Sequence, residues 1–176
     1  ETRKHIMTTK PIIFRKGKRI SIGPIKKEDM PIITEYINDS EVTQFLTIDK
    51  PQSLESELEW FENLSKRKHD VVFAIRLLDE STIIGVMGLH NIDHKNGLAT
   101  TGSFIGKKDL WNKGYGTEAK MLVLEYAFNT LNLRKVCSDV YDFNGRSRRC
   151  LEKCGYVLEE QERLTTSETA ISLTCI

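Results

Sequence analysis

Apolar and polar positions recur along the chain with enough regularity to outline its elements. Residues 12–14 and 19–25 read as short strands, the second turning Ile20 and Ile22 inward. Asp29 stands where a helix cap belongs, with Pro31 in the first turn, where a missing N–H costs nothing. Ile33, Tyr36 and Ile37 give that helix its apolar face. Ser53 marks a second helix start, and Leu54, Leu58, Phe61 and Leu64 follow at helical spacing. Carried on to residue 68, that helix would hold Lys66, Arg67 and Lys68 in its last turn, where cations complement the dipole. The basic cluster is therefore read as a helix end and not as a nucleic-acid patch.

Strand signals come next. Residues 71–78 are apolar and β-branched, and Asp79-Glu80-Ser81 breaks the run. Residues 83–92 form the following strand, in which Gly85 and Gly88 imply bends or close backbone approach. Asn96-Gly97 is the strongest hairpin signal and joins this strand to residues 98–105. A helix over 119–131 carries one stripe of Ala119, Leu122, Val123, Tyr126 and Ala127. A second stripe holds Met121, Leu124, Phe128 and Leu131, so the helix should be heavily buried. Residues 134–141 read as a strand parallel to 98–105, because a helix connects them. Asn144 opens a shorter helix with Ser147, Cys150, Leu151 and Cys154 on one face, and Gly155 ends it. Residues 156–160 and 171–176 are the last strands, with a short link before the second. This is one α/β domain with a mixed sheet, spanning residues 7–176. Residues 1–6, ahead of Met7, are set aside as a cloning remnant.

Composition agrees with one folded domain: 176 residues, 39% hydrophobic and 29% charged. A net charge of +1 creates no global field for nucleic acid or a membrane surface. No apolar run approaches the length of a membrane span and no signal peptide is visible, so the expected location is cytoplasmic. The four cysteines do not form paired CxxC units. Cys150 and Cys154 share a helix face, yet no His or second Cys pair stands near enough in sequence to complete a metal site; no metal is expected, and the thiols read as reduced.

The chemistry gathers at Trp111-Asn112-Lys113-Gly114-Tyr115-Gly116-Thr117-Glu118-Ala119, between a strand and a helix. Two glycines permit a tight turn that a ligand can approach closely. The unpaired N–H groups and the positive end of the following helix make an anion site suited to a phosphate or pyrophosphate. Gly114-x-Gly116-x-x-Ala119 also spells a dinucleotide fingerprint, which would imply a nucleotide-dependent oxidoreductase. That fingerprint should close a strand directly inside a βαβ unit, however, and here residues 106–113 intervene after an antiparallel hairpin. A Walker loop is excluded because no Gly-Lys-Ser/Thr follows.

The Trp111-x-x-Gly114-x-Gly116 pattern resembles the acetyl-CoA pyrophosphate loop of the GNAT N-acetyltransferase superfamily. Its details are similar to the ribosomal-protein N-terminal alanine acetyltransferase (RimJ/RimL-like) branch. A second match lies in Asn144-x-x-Ser147-x-x-x-x-Glu152-Lys153-x-Gly155-Tyr156. The resemblance implies a largely antiparallel central sheet flanked by helices, with two parallel strands splayed to hold acetyl-CoA as co-substrate. It implies direct attack of a primary amine, from a protein N-terminus, a polyamine or a small molecule, on the acetyl thioester. A monomer or homodimer is expected, with no direct nucleic-acid binding. The alternative is a GNAT-like protein that binds CoA with little turnover.

The resemblance also implies roles. Phe104 and Ile105 hold the pantetheine and polarise the carbonyl. Trp111, Asn112, Gly114, Tyr115, Gly116 and Thr117 surround the pyrophosphate, with Lys113 adding charge, and Asn144 hydrogen-bonds the cofactor. Many relatives place a tyrosine acid where Leu151 stands and a glutamate base where Thr100 stands. Ser147 is then the remaining hydroxyl to assist the thiolate, and His90 a candidate base. A cysteine-based ping-pong route is disfavoured, because no cysteine has a partnered His/Asp in sequence.

Overall fold

The computed structural model describes residues 10–79, 82–163 and 169–176, with the side chains of 160–163 and of 169 left out. The expectations for residues 1–6, for the break at 80–81 and for the link at 164–168 fall outside it. In chain order the elements are β1 (Arg15–Lys16), β2 (Ile20–Pro24), α1 (Met30–Asn38), α2 (Ser40–Thr43) and α3 (Leu54–Leu64). Then come β3 (Val71–Leu77), β4 (Ile83–Asp93), β5 (Leu98–Ile105) and α4 (Tyr115–Asn129). The chain closes with β6 (Lys135–Tyr141), α5 (Gly145–Lys153), β7 (Val157–Arg163) and β8 (Thr169–Cys175).

The strands form one sheet in the order β1-β2-β3-β4-β5-β6-β8-β7. Every described pairing is antiparallel except β5 with β6. The parallel strand expected after the central helix is therefore where the hydrophobic pattern put it. The sheet is covered on both faces. Val123 and Ala127 of α4 pack with Ile22, Met87 and Leu89 in the larger core, while Met30 and Ile33 of α1 pack with Ala74 and Val86 in a second. This double cover explains why Ile20 to Ile22 are all buried. Among the described residues no helix is long and apolar enough to cross a membrane.

Several local expectations are corrected. The first strand is Arg15–Lys16, just after residues 12–14, although the Phe14 N–H still donates to the Ile22 carbonyl at 2.9 Å. Asp29 occupies the cap position of α1 without capping it. Its carboxylate instead accepts from the Lys26 N–H at 2.7 Å and pairs with the buried Arg76 guanidinium, a partner no local pattern announces. α3 ends at Leu64, so Lys66, Arg67 and Lys68 lie in the turns beyond it. Helix α4 begins at Tyr115, four residues earlier than the apolar stripes suggest, and Met121 is exposed because only one face of α4 reaches the sheet.

Candidate active site

The β5–β6 ladder holds for three pairs only: Leu98 with Lys135, Ala99 with Val136 and Thr100 with Cys137. Past that point the strands separate, and the Ser138 hydroxyl donates to the Thr101 carbonyl at 3.0 Å at the base of the fork. A cleft of about 550 Å³ opens there. Gly102 to Ile105 line one side of it and Asp139 to Tyr141 the other, with the starts of α4 and α5 at its end.

The glycine turn is built from several directions. The Trp111 indole N–H donates to the Ile105 carbonyl at 2.6 Å and ties the loop to the end of β5. Asn112 and Gly114 take positive φ of 61° and 83°, and Gly114 is the N-cap of α4. A glycine has no side chain to cap with, so the first-turn N–H groups are left for a ligand. Gly116 differs from expectation: it lies inside the first turn of α4 with ordinary helical geometry. A Cβ there would sit 3.8 Å from both Cys150 Sγ and Ile105 Cγ1. Its service is an open approach and not an unusual backbone.

Arg19, in the turn just ahead of β2, clamps this loop. Its guanidinium donates to the Lys113 carbonyl at 2.8 Å and to Glu118 Oε2 at 3.0 Å, and it lies 4.3 Å above the Tyr115 ring. Burial pushes the Glu118 pKa up, but the hydrogen bonds from the Arg19 backbone and side chain outweigh it and hold the carboxyl below its usual range. The sequence reading missed this pair, which lies 99 residues apart.

At the start of α5, the Asn144 side-chain oxygen accepts from the Ser147 N–H at 3.1 Å, so Asn144 caps the helix, and it is itself buried. Arg146, Arg149 and Lys153 also line the cleft. Arginines in the first turns of a helix oppose its dipole, and that conflict was a legible signal of function that sequence reasoning passed over. Arg146 stacks over Trp111 at 3.7 Å and Phe45 at 4.9 Å. Burial, with the like charge of Arg149, pushes its pKa down.

Of the expected site residues, Phe104, Ile105, Trp111, Asn112, Gly114, Tyr115, Gly116, Thr117, Asn144 and Ser147 all line the cleft. Lys113 and His90 do not. Lys113 is exposed and contributes its carbonyl to the Arg19 clamp. His90 pairs across the ladder with Thr100, and its Nδ1 lies 3.6 Å from Asp70 Oδ1. Its ring crosses Gly88, where a Cβ would come within 2.0 Å of Nε2, and approaches Gly102 at the cleft edge. Leu151 is 1% exposed and belongs to the core. The polar group sequence reasoning overlooked entirely is Lys120, 2% exposed on α4, whose ammonium donates to the Thr101 hydroxyl at 2.9 Å. Burial lowers its pKa to about 8.

A cleft with free helix-start amides, a left-handed glycine and three cations fits a long ligand that carries phosphates at one end. The family described as acetyltransferase (GNAT) domain matches residues 19–157, from the Arg19 clamp through α5. The Bacillus licheniformis protein named uncharacterized N-acetyltransferase p20 is 27% identical over 146 residues, covering 81% of each chain. A GNAT-family acetyltransferase from Bacillus anthracis superposes with a TM-score of 0.80 at 20% identity, covering 92% of this chain and 96% of its own. Spermidine N-acetyltransferase from Vibrio cholerae, in complex with CoA and spermine, superposes at 0.82 with 17% identity, covering 89% and 95%. These two likenesses are of fold. Because the family match takes in the glycine turn, the fork and the capped helix together, the chain belongs to the GNAT acetyltransferases and is an acetyl-CoA-dependent N-acetyltransferase.

Proposed function

We propose that the acceptor is the N-terminal amine of a peptide or protein, as in the ribosomal-protein N-terminal alanine acetyltransferase branch, and that it attacks the thioester directly. The observation that carries this reading is the character of the cleft wall. Val42, Phe45 and Leu46 line it from the α2 side, and among the described lining residues Asp139 is the one carboxylate, against Arg146, Arg149 and Lys153. A polyamine would bring several ammonium groups to a wall whose described residues hold one counter-charge. A single amine beside an apolar side chain suits it better.

Acetyl-CoA, when bound, supplies the acetyl thioester; the chain's own groups do the rest. The α4 amides behind Gly114 and the α5 cations hold phosphates, Asn144 orients the pantetheine from the helix start, and the backbone of Phe104 and Ile105 fixes its depth. Attack requires a neutral amine, a donor for the developing oxyanion and a proton for the departing sulfur. Ser147, in the first turn of α5, offers a hydroxyl where the helix dipole favours negative charge. His90, whose ring approaches Gly102 at the cleft edge, is the residue proposed to take the amine proton.

The test is mass spectrometry of reactions with N-terminal peptides, spermidine and aminoglycosides, alongside thiol release from acetyl-CoA. Peptide products with little spermidine turnover are expected. Preferential acetylation of spermidine would overturn the acceptor assignment. Tight CoA binding without turnover on any amine would favour the binding-protein alternative.

A further inference from the structure

Helices α4 and α5 meet through a cluster of which the acetyl-transfer reading uses only Thr117. The Thr117 hydroxyl donates to Cys150 Sγ at 3.4 Å, and the Cys154 thiol donates to the Thr117 carbonyl at 3.6 Å. Lys120 stands one turn along α4 from Thr117, buried, and forms no ion pair with a carboxylate among the described residues. Its hydrogen bond to Thr101 satisfies one donor and leaves the charge without an opposite partner. A buried ammonium so placed favours an anion beside it. The groups able to become one whose charge acts on Lys120 are the two thiols, and Cys150 is the one of them that lines the cleft.

The surroundings favour Cys150 as that anion. Its sulfur lies beside the first turn of α4, the positive end of the helix dipole. The neighbouring Cys154 thiol, the hydroxyl of Thr117 and the charges of Lys120 and Lys153 hold its pKa below the usual thiol range, against the opposing pull of burial. The proximity of Cys150, with burial, pushes Cys154 up. The other titratable neighbours are Tyr156 and Cys175, which lie on the Cys154 side.

We infer that Cys150 is a site of covalent thiol modification inside the cofactor cleft, open to low-molecular-weight disulfides, and that adduct and cofactor exclude one another. In the step, the Cys150 thiolate attacks one sulfur of the disulfide and a new S–S bond forms as the old one breaks. The departing thiolate takes a proton from water; Cys150 is oxidised and the departing half is reduced. The adduct projects beside Gly116, where the α4 amides hold the cofactor phosphates. The inference rests on the cleft being the CoA site.

The experiment treats the whole chain at pH 7 with limiting iodoacetamide and reads each of the four cysteines by peptide mass spectrometry, with and without saturating CoA; calorimetry measures CoA binding separately. Cys150 should react roughly tenfold or more faster than the other three and be shielded by CoA to a similar degree. Glutathione disulfide should place a mixed disulfide on Cys150, weaken CoA binding by roughly tenfold or more, and be reversed by dithiothreitol. Lys120→Met and Thr117→Val, each checked for fold by circular dichroism, should both slow alkylation of Cys150. Equal labelling of all four cysteines, or labelling that ignores CoA shown by calorimetry to bind, would overturn the inference and leave the cofactor site standing. Absence of CoA binding would overturn the site itself.

Discussion

The guanidinium of Arg19 donates to the carbonyl of Lys113 at 2.8 Å and so fastens the entry to β2 to the turn that starts α4. Through Glu118 it also fixes the first turn of that helix. Arg19→Ala should free the loop while leaving its sequence unchanged. CoA affinity should fall roughly fivefold, about 1 kcal/mol, as read by calorimetry. Unchanged affinity would mean that the loop is preorganised without the clamp.

Gly114 and Gly116 should respond differently to substitution. Gly114 has φ of 83°, so Gly114→Ala should cost about 1 kcal/mol in folding as well as affinity. Gly116 is helical with room for a Cβ, so Gly116→Ala should be neutral or stabilising to the fold. Gly116→Val extends into the approach and should weaken CoA binding at least tenfold, roughly 1.4 kcal/mol. Thermal melts and calorimetry on the three variants separate the two roles.

Asn144 caps α5 with its oxygen, and an aspartate can do the same. Asn144→Asp should therefore keep the melting temperature while losing the amide donor and adding a negative charge in the cleft. Acetyl-CoA affinity should drop by roughly tenfold. If affinity holds, capping is its whole role.

Ser147→Ala tests the hydroxyl beside the departing sulfur. Its backbone N–H, which makes the cap contact, is unaffected. The expected result is a kcat lowered by roughly ten- to a hundredfold, about 1.4 to 2.7 kcal/mol in the barrier, with KM for acetyl-CoA little changed. A loss confined to KM would assign Ser147 to binding.

Lys120 makes a prediction about stability and pH. Its pKa falls from 10.5 to about 8 on folding, because burial disfavours the charged form. Between those values the unfolded chain holds the proton and the folded chain does not, so stability should rise as pH climbs from about 8 to 10.5. Lys120→Met should remove that slope. At pH 7 it should stabilise the fold by about 3 kcal/mol, less about 1 kcal/mol for the lost bond to Thr101. Urea unfolding across that range reads both effects, and a destabilised Lys120→Met would show that the ammonium is better accommodated than its burial suggests.

Most elements were legible because their causes are local. The apolar runs over residues 71–78 and 83–92, the Asn96-Gly97 turn and the Ser53 cap each act over a few residues, and each produced its strand, hairpin or helix. The glycine turn was readable for the same reason, since Gly114 needs only its own backbone freedom and a helix behind it. The fork between β5 and β6 followed from the family resemblance, which carries topology that periodicity does not. What no local pattern could supply were the pairings across the sheet. Arg19 with Glu118, Asp29 with Arg76 and Lys120 beneath Thr101 depend on strand register and on which face of a helix meets its neighbour. Lys120 sits on α4 between Ala119 and Met121, and its sequence neighbours do not say which of the three turns inward. That choice belongs to the packing of α4 on the sheet, and it buried a lysine and exposed a methionine where hydrophobic pattern alone would have reversed them.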